Sequence, residues 1–283
     1  MGYFKTTKNI IAATVNIKII LRCKIILFSL TILSIYFGSA IAGSSQSEGP
    51  IQFKPEEIIK FAKKVEKRLA EKGAKVAIIA RVGRPRNKLP EGISFTHTAI
   101  AVYSQITTAD KRKIPGYAIY NLYQKDDKPE ISDLIVDYPV DFFAGVYLLE
   151  AGIIIPSPEL QKRMLAVITS GTYKSLHNPK YSVIANPFTL DFQNCTEHTL
   201  DVIFASIYDT SNINVIKANE KAYFKPQPVK INPLKLALGS MFIADVTTSD
   251  HPESPVTATF TTIGQFLSKY DSASQIMIIQ PDK

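Results

Sequence analysis

The sequence predicts an α+β fold around an antiparallel sheet, and three observations carry that prediction. Runs rich in β-branched and aromatic residues recur at 95–104, 117–124 and 131–136, joined by connections too short for crossover helices, which reads as a meander. Segments of helical periodicity stand at 55–72, 158–169 and 195–208 and do not alternate with every strand. No internal repeat is visible.

The chain opens on Lys5, Lys8, Lys18, Arg22 and Lys24, then an apolar run over 25–37 and the small residues Gly38-Ser39-Ala40-Ile41-Ala42. These are the three parts of a secretory signal, with cleavage expected after Ala42. The apolar run falls short of the roughly 20 residues of a membrane helix. Extending it back through 10–21 would bury Arg22 and Lys24 at about 2.5–3.5 kcal/mol each. The expectation is therefore an exported protein, periplasmic or secreted, with no stable membrane span after cleavage. Loss of the five basic residues lowers the formal charge from +8 to +3. The remaining charges are mixed in sign, which sets nucleic acid aside as a partner.

Residues 43–54 read as a flexible leader. Pro55-Glu56-Glu57 opens a helix whose apolar positions Ile58, Ala62, Val65 and Leu69 share a face, and Gly73 stops it. Residues 76–80 suit a strand buried on both faces. Gly83-Arg84-Pro85-Arg86-Asn87 and Pro90-Glu91-Gly92 form a basic loop, a solvated turn or a contact for an anionic substrate. After the meander, 139–149 and 158–169 read as helices and 181–185 as a short strand. Asn194 is a good N-cap for an amphipathic helix over 195–208 with Leu200, Ile203, Phe204 and Ile207 on its apolar stripe. Beyond 209 the pattern suggests helices at 213–222, 233–238 and 262–269 and a strand at 241–247. The domain reading is 55–208, with 209–283 as a cap on it.

Cys23 leaves with the signal, so the mature part holds one cysteine, Cys195, at the first turn of a helix. Unpaired backbone N–H groups there stabilise a thiolate, the condition for nucleophilic attack near neutral pH. Of His97, His177, His198 and His251, His97 is best placed as a base, because a rigid strand would hold its ring toward the start of a packed helix. His177 and His251 lie in polar loops and read as solvent-exposed. The next strand offers Asn121 within an apolar run as the group that orients the imidazole, Tyr120 and Gln124 being the other candidates. Glu197 and His198 read as rim or substrate-binding residues, with a structural role equally open. Cys195 and His198 alone make half a metal site, and the set of about four ligands that a closed site wants has no other members. No metal and no cofactor are expected.

A strand-borne His97, a polar residue on the next strand, and Asn194-Cys195-Thr196-Glu197 at a helix start together resemble the circularly permuted papain-like thiol hydrolases. These are relatives of the NlpC cell-wall peptidases and of lecithin retinol acyltransferase; ordinary papain-like enzymes run cysteine first. Residues 89–124 and 194–202 also resemble an uncharacterised family of exported bacterial proteins in that group. The resemblance covers about 75–210. It implies a papain-like sheet packed on the cysteine helix, Cys195 as nucleophile, His97 as base and later acid, Asn121 as third member, and Asn194, Glu197 and His198 around the substrate. The implied activity is cysteine-dependent hydrolysis or acyl transfer at an amide or ester, on a cell-wall peptide or an acyl lipid. The alternative is an inactive envelope binding or assembly protein of the same fold, or a lipid-binding module if Tyr117, Tyr120, Tyr123, Phe142 and Phe143 line a tunnel.

Overall fold

A computed structural model describes residues 52–230 and 247–282. The signal segment and most of the leader lie outside these residues, as do the helix expected at 233–238 and nearly all of the strand expected at 241–247. Among the described residues no helix is long and apolar enough to cross a membrane.

Helix α1 (Pro55–Glu71) begins on proline, and the carboxylate of Glu57 accepts the Lys54 N–H at 2.9 Å. Its buried residues are Ile58, Phe61, Ala62, Val65 and Leu69, the spacing of a single face. Gly73, at φ +64°, then turns the chain out, because a left-handed conformation there costs glycine nothing. Strand β1 (Val76–Val82) follows and is buried at every position, as a central strand with both faces covered must be. Strands β2 (His97–Thr107), β3 (Lys113–Gln124) and β4 (Ser132–Asp137) make the expected meander, every pairing antiparallel.

Two local readings fail. The helix expected over 139–149 is only α2 (Pro139–Ala144); it ends at Gly145, and the apolar run after it becomes β5 (Leu148–Ile155). β5 lies beside β1 and is buried on both faces, so it carries no alternation by which a strand is recognised. Residues 181–185 do not form a strand; Tyr181 makes an isolated bridge to Gln193 before the chain turns. The C-terminal segment also adds a strand to the sheet: β8 (Gln275–Ile279) pairs with β5 and gives the order β4-β3-β2-β1-β5-β8.

Among the described residues the remaining elements are a 3₁₀ turn (Arg86–Lys88), α3 (Pro158–Thr169), α4 (Thr172–Ser175), α5 (Cys195–Tyr208), α6 (Ile213–Tyr223), β6 (Gln227–Pro228), β7 (Val256–Thr257) and α7 (Phe260–Tyr270). The protein is thus α+β, an open antiparallel sheet with helices on both faces. Ala77, Ile79, Ala99, Ala101 and Ile119 pack toward α1 and α2. Val76, Ile78, Ala80, Ile100 and Val102 pack toward α3, α5 and α7.

Helix α5 is not amphipathic in its setting. Every residue from Cys195 to Ile207 is buried, including Glu197 and Asp201. Its polar side is covered by α6, whose Lys217 Nζ reaches Glu197 Oε1 at 2.8 Å and Asp201 Oδ1 at 2.7 Å. Buried carboxylates need such a partner, and the partner lies on a helix that the pattern of α5 alone does not reveal.

Candidate active site

His97 is the first residue of β2 and is opposite Arg81 of β1. Its Nε2 lies 3.0 Å from Asn121 Oδ1. The amide of Asn121 is buried and its orientation is fixed, because Nδ2 donates to the Ile119 carbonyl at 3.1 Å and to Asp137 Oδ1 at 2.8 Å. Oδ1 can only accept, so His97 donates from Nε2 and its neutral ring carries the lone pair on Nδ1. Burial, with the Arg81 guanidinium adding to it, holds the imidazole well below its ordinary pKa against the opposing hydrogen bond that His97 donates to Asn121. The resting ring is neutral and able to accept a proton.

Two neighbours that sequence reasoning missed complete this cluster. The ring of Tyr123 stacks on His97, centroids 4.7 Å apart and planes within 4°. Its hydroxyl donates to Asp137 Oδ2 at 2.9 Å. Burial raises the Asp137 carboxyl to about 7, against the pull of Tyr123, Arg81 and Asn121 and with Asp141 adding to the rise. The signal available in the sequence was register: Asp137 pairs with Ile119, which brings it beside Asn121.

Cys195 sits at the start of α5 as expected, but the donors around it are largely committed. Asn194 Oδ1 accepts the N–H groups of Thr196 at 3.0 Å and Glu197 at 2.9 Å. Asn194 Nδ2 donates to the Val183 carbonyl and to Thr257 Oγ1. Asn194 therefore caps the helix and ties it to two loops, and its amide is engaged at both ends.

Cys195, His97 and Asn194 line one cavity of about 280 Å³. They reach it from different sides. Strand alternation puts His97 and Asn121 on the α1/α2 face with Ala99 and Ile119, and His97 meets Phe142 of α2 at 5.7 Å between ring centroids. Thr98 points the other way, where its hydroxyl accepts from that of Thr196 in α5. The sheet therefore does not turn His97 directly onto α5. The two residues share a cavity because each begins its element at the same end of the sheet. Of the described residues lining it, Arg81, Arg84 and Lys88 are basic and none is acidic, while Leu89, Ile93 and Val183 supply apolar wall. A groove of about 610 Å³ beside α7 and β8 is larger but contains no cysteine or histidine.

Glu197 and His198 are not among the residues lining the cavity. Glu197 belongs to the buried cluster around Lys217, and desolvation pushes its carboxyl up despite the ammonium. His198 points its Nε2 at the Tyr173 carbonyl, 3.1 Å away, and burial lowers it to about 4. Glu197, about half a turn past Cys195, lies on the far side of the helix against Lys217, and His198, nearly a full turn along, is claimed by the Tyr173 carbonyl. His177 is half-buried and hydrogen-bonded to Ser132, and the His251 side chain is buried and hydrogen-bonded to the Ile184 carbonyl, so neither is solvent-exposed. Among the described residues no group of three or more His, Cys, Asp and Glu is arranged to hold a metal ion.

No curated protein matches the chain. One solved structure similar to it is the crystal structure of metalloprotein yiiX from Escherichia coli O157:H7, DUF1105, at 12% identity over 74% of this chain and 97% of that one, with a TM-score of 0.42. A family model described as an uncharacterized protein conserved in bacteria, DUF2145, matches residues 68–267, which span His97, Asn121 and Cys195, and the chain belongs to that family.

Proposed function

We propose that the protein is an exported, cysteine-dependent acyl hydrolase or acyltransferase of permuted papain-like type, acting on an amide or ester of a cell-envelope peptide or acyl lipid. The observation that carries this reading is that His97, its ring fixed from behind by Asn121, lines the same cavity as Cys195. Export rests on the tripartite pattern of residues 1–42. The permuted assignment rests on the order His97, Asn121, Cys195 along the chain.

The steps use only protein groups. His97 Nδ1 takes the Cys195 thiol proton, and sulfur attacks the acyl carbon. The tetrahedral oxyanion collapses, the C–N or C–O bond breaks, and the leaving group takes the proton from His97. Water or an acceptor hydroxyl then gives a proton to His97 and attacks the thioester; the C–S bond breaks and the proton returns to sulfur. The Thr196 and Glu197 N–H groups face the Asn194 cap, so oxyanion stabilisation falls to other cavity donors. The basic lining favours an acyl donor with an anionic group beside an apolar one.

The second reading, a binding protein without turnover, is favoured by the opposite sheet faces of His97 and α5. The pH dependence of iodoacetamide labelling of Cys195 separates the two. An enzyme gives labelling well below the free-thiol midpoint of about 8.5, slowed strongly in His97→Ala. Labelling indifferent to His97 would leave the binding reading in front.

A further inference from the structure

We infer that Asp137 is a positioning residue that sets the plane and tautomer of His97, an inference that rests on His97 acting as the base. Both carboxylate oxygens are used on side chains that touch the imidazole. Oδ1 holds the Asn121 amide whose other end fixes the ring edge, and Oδ2 holds the Tyr123 hydroxyl whose ring covers the ring face. One carboxylate thus constrains His97 along two perpendicular directions, which is more than a strand-end aspartate needs for folding.

Its own place is rigid. Asp137 ends β4 opposite Ile119, and Tyr138 and Pro139 begin α2 immediately after it. The charged and titratable groups facing it are Tyr123 on β3, Arg81 on β1, Asp141 on α2 and Tyr173 on α4. When His97 becomes an imidazolium during turnover, the ionised form of Asp137, which prevails above about pH 7, stabilises it through the shared Asn121 amide, and Arg81 opposes that effect.

The test is Cys195 alkylation by iodoacetamide across pH 5–9 in the folded protein. Wild type, Asp137→Leu, Asp137→Asn, His97→Ala and the His97→Ala/Asp137→Asn double variant are compared, with near-UV circular dichroism confirming the fold. Asp137→Leu is expected to slow labelling at pH 7 by roughly tenfold through lost orientation. Asp137→Asn keeps an acceptor for Asn121 but removes the charge, and should move the labelling midpoint up by about one pH unit. In the His97→Ala background the same substitution should change nothing, whereas a merely structural role would slow both backgrounds alike and overturn the inference. If Asp137→Leu does not fold, the Asp137→Asn pair of measurements decides alone. Wild-type behaviour of both Asp137 variants beside a slow His97→Ala would refute the positioning role and leave the base standing. A His97→Ala variant that labels like wild type would refute both.

Discussion

Asn121 Oδ1 meets His97 Nε2 at 3.0 Å, and because the other end of that amide is tied to a carbonyl and a carboxylate, this single contact assigns the proton on the imidazole. The ring is thereby committed to a neutral Nε2–H tautomer.

That commitment is measurable by long-range ¹H–¹⁵N NMR of the imidazole. At pH 7 His97 should show the Nε2–H pattern, and it should not titrate until well below the ordinary value near 6.5, since burial and Arg81 both disfavour the cation. Titration near 6.5 would show that the ring is solvated and not buried.

The cluster on the covered side of α5 predicts opposite outcomes for two substitutions. Lys217→Met leaves Glu197, Asp201 and Glu220 without their ammonium and should cost about 3–5 kcal/mol. Glu220 is pushed well up by burial and by Asp201, so it is held protonated, and Glu220→Gln should cost about 1 kcal/mol or less. Urea unfolding of the two variants checks the contrast. Equal losses would mean that Glu220 is ionised.

Stability should fall as pH rises above neutrality. An acid whose folded pKa is raised contributes stability below its unfolded value near 4, and the contribution is lost as pH rises through the folded value. For Asp137 that value is about 7 and for Glu197 about 8. His198, lowered to about 4, works in the other sense, its contribution being lost as pH falls below about 6.5. Between about pH 6.5 and 8.5 only the acids act, so the melting temperature should decline there, and Glu197→Gln should flatten the decline. A flat wild-type profile over that range would be inconsistent with buried, proton-holding carboxylates.

Asn194 is predicted to matter for its cap more than for substrate. Asn194→Ala should cost about 1–2 kcal/mol, the upper end applying because Val183 and Thr257 also lose a donor. Asn194→Asp retains the acceptor for Thr196 and Glu197 and should lose less. Thermal melts rank the three proteins, and an alanine variant as stable as wild type would refute the cap.

A further substitution tests packing at the sheet. An added Cβ at Gly152 would come within 2.7 Å of Phe260 and 2.9 Å of Phe95, two rings that themselves pack edge to face. Gly152→Ala should destabilise by about 1–3 kcal/mol through overpacking. A neutral effect would show that the rings move aside freely.

How far the sequence carried this reading depends on whether the relevant order is local. The meander, α1, α3 and the cap at Asn194 are written in short-range signals: alternation, Pro at a helix start, a side chain that accepts from its own helix. The α+β class follows from them. β5 and β8 escaped because one is apolar on both faces and the other finds its partner far away in the chain. In the candidate site, His97, Asn121 and Cys195 are legible as residue types in suggestive surroundings. Which face of the sheet His97 takes, and that Asp137 and Tyr123 hold it, depend on strand register. For Glu197 and His198 the sequence left rim and structural roles equally open, because the α6 lysine and the Tyr173 carbonyl that claim them are distant in sequence.

The edge strand β8 has a consequence for the order in which the molecule can be made. Its partner β5 is synthesised long before it, and until residues 275–279 emerge, β5 presents an unpaired apolar edge. Native pairing of such separated strands is slow because the intervening loop must close first. The sheet therefore stays open along this edge until its last described strand arrives.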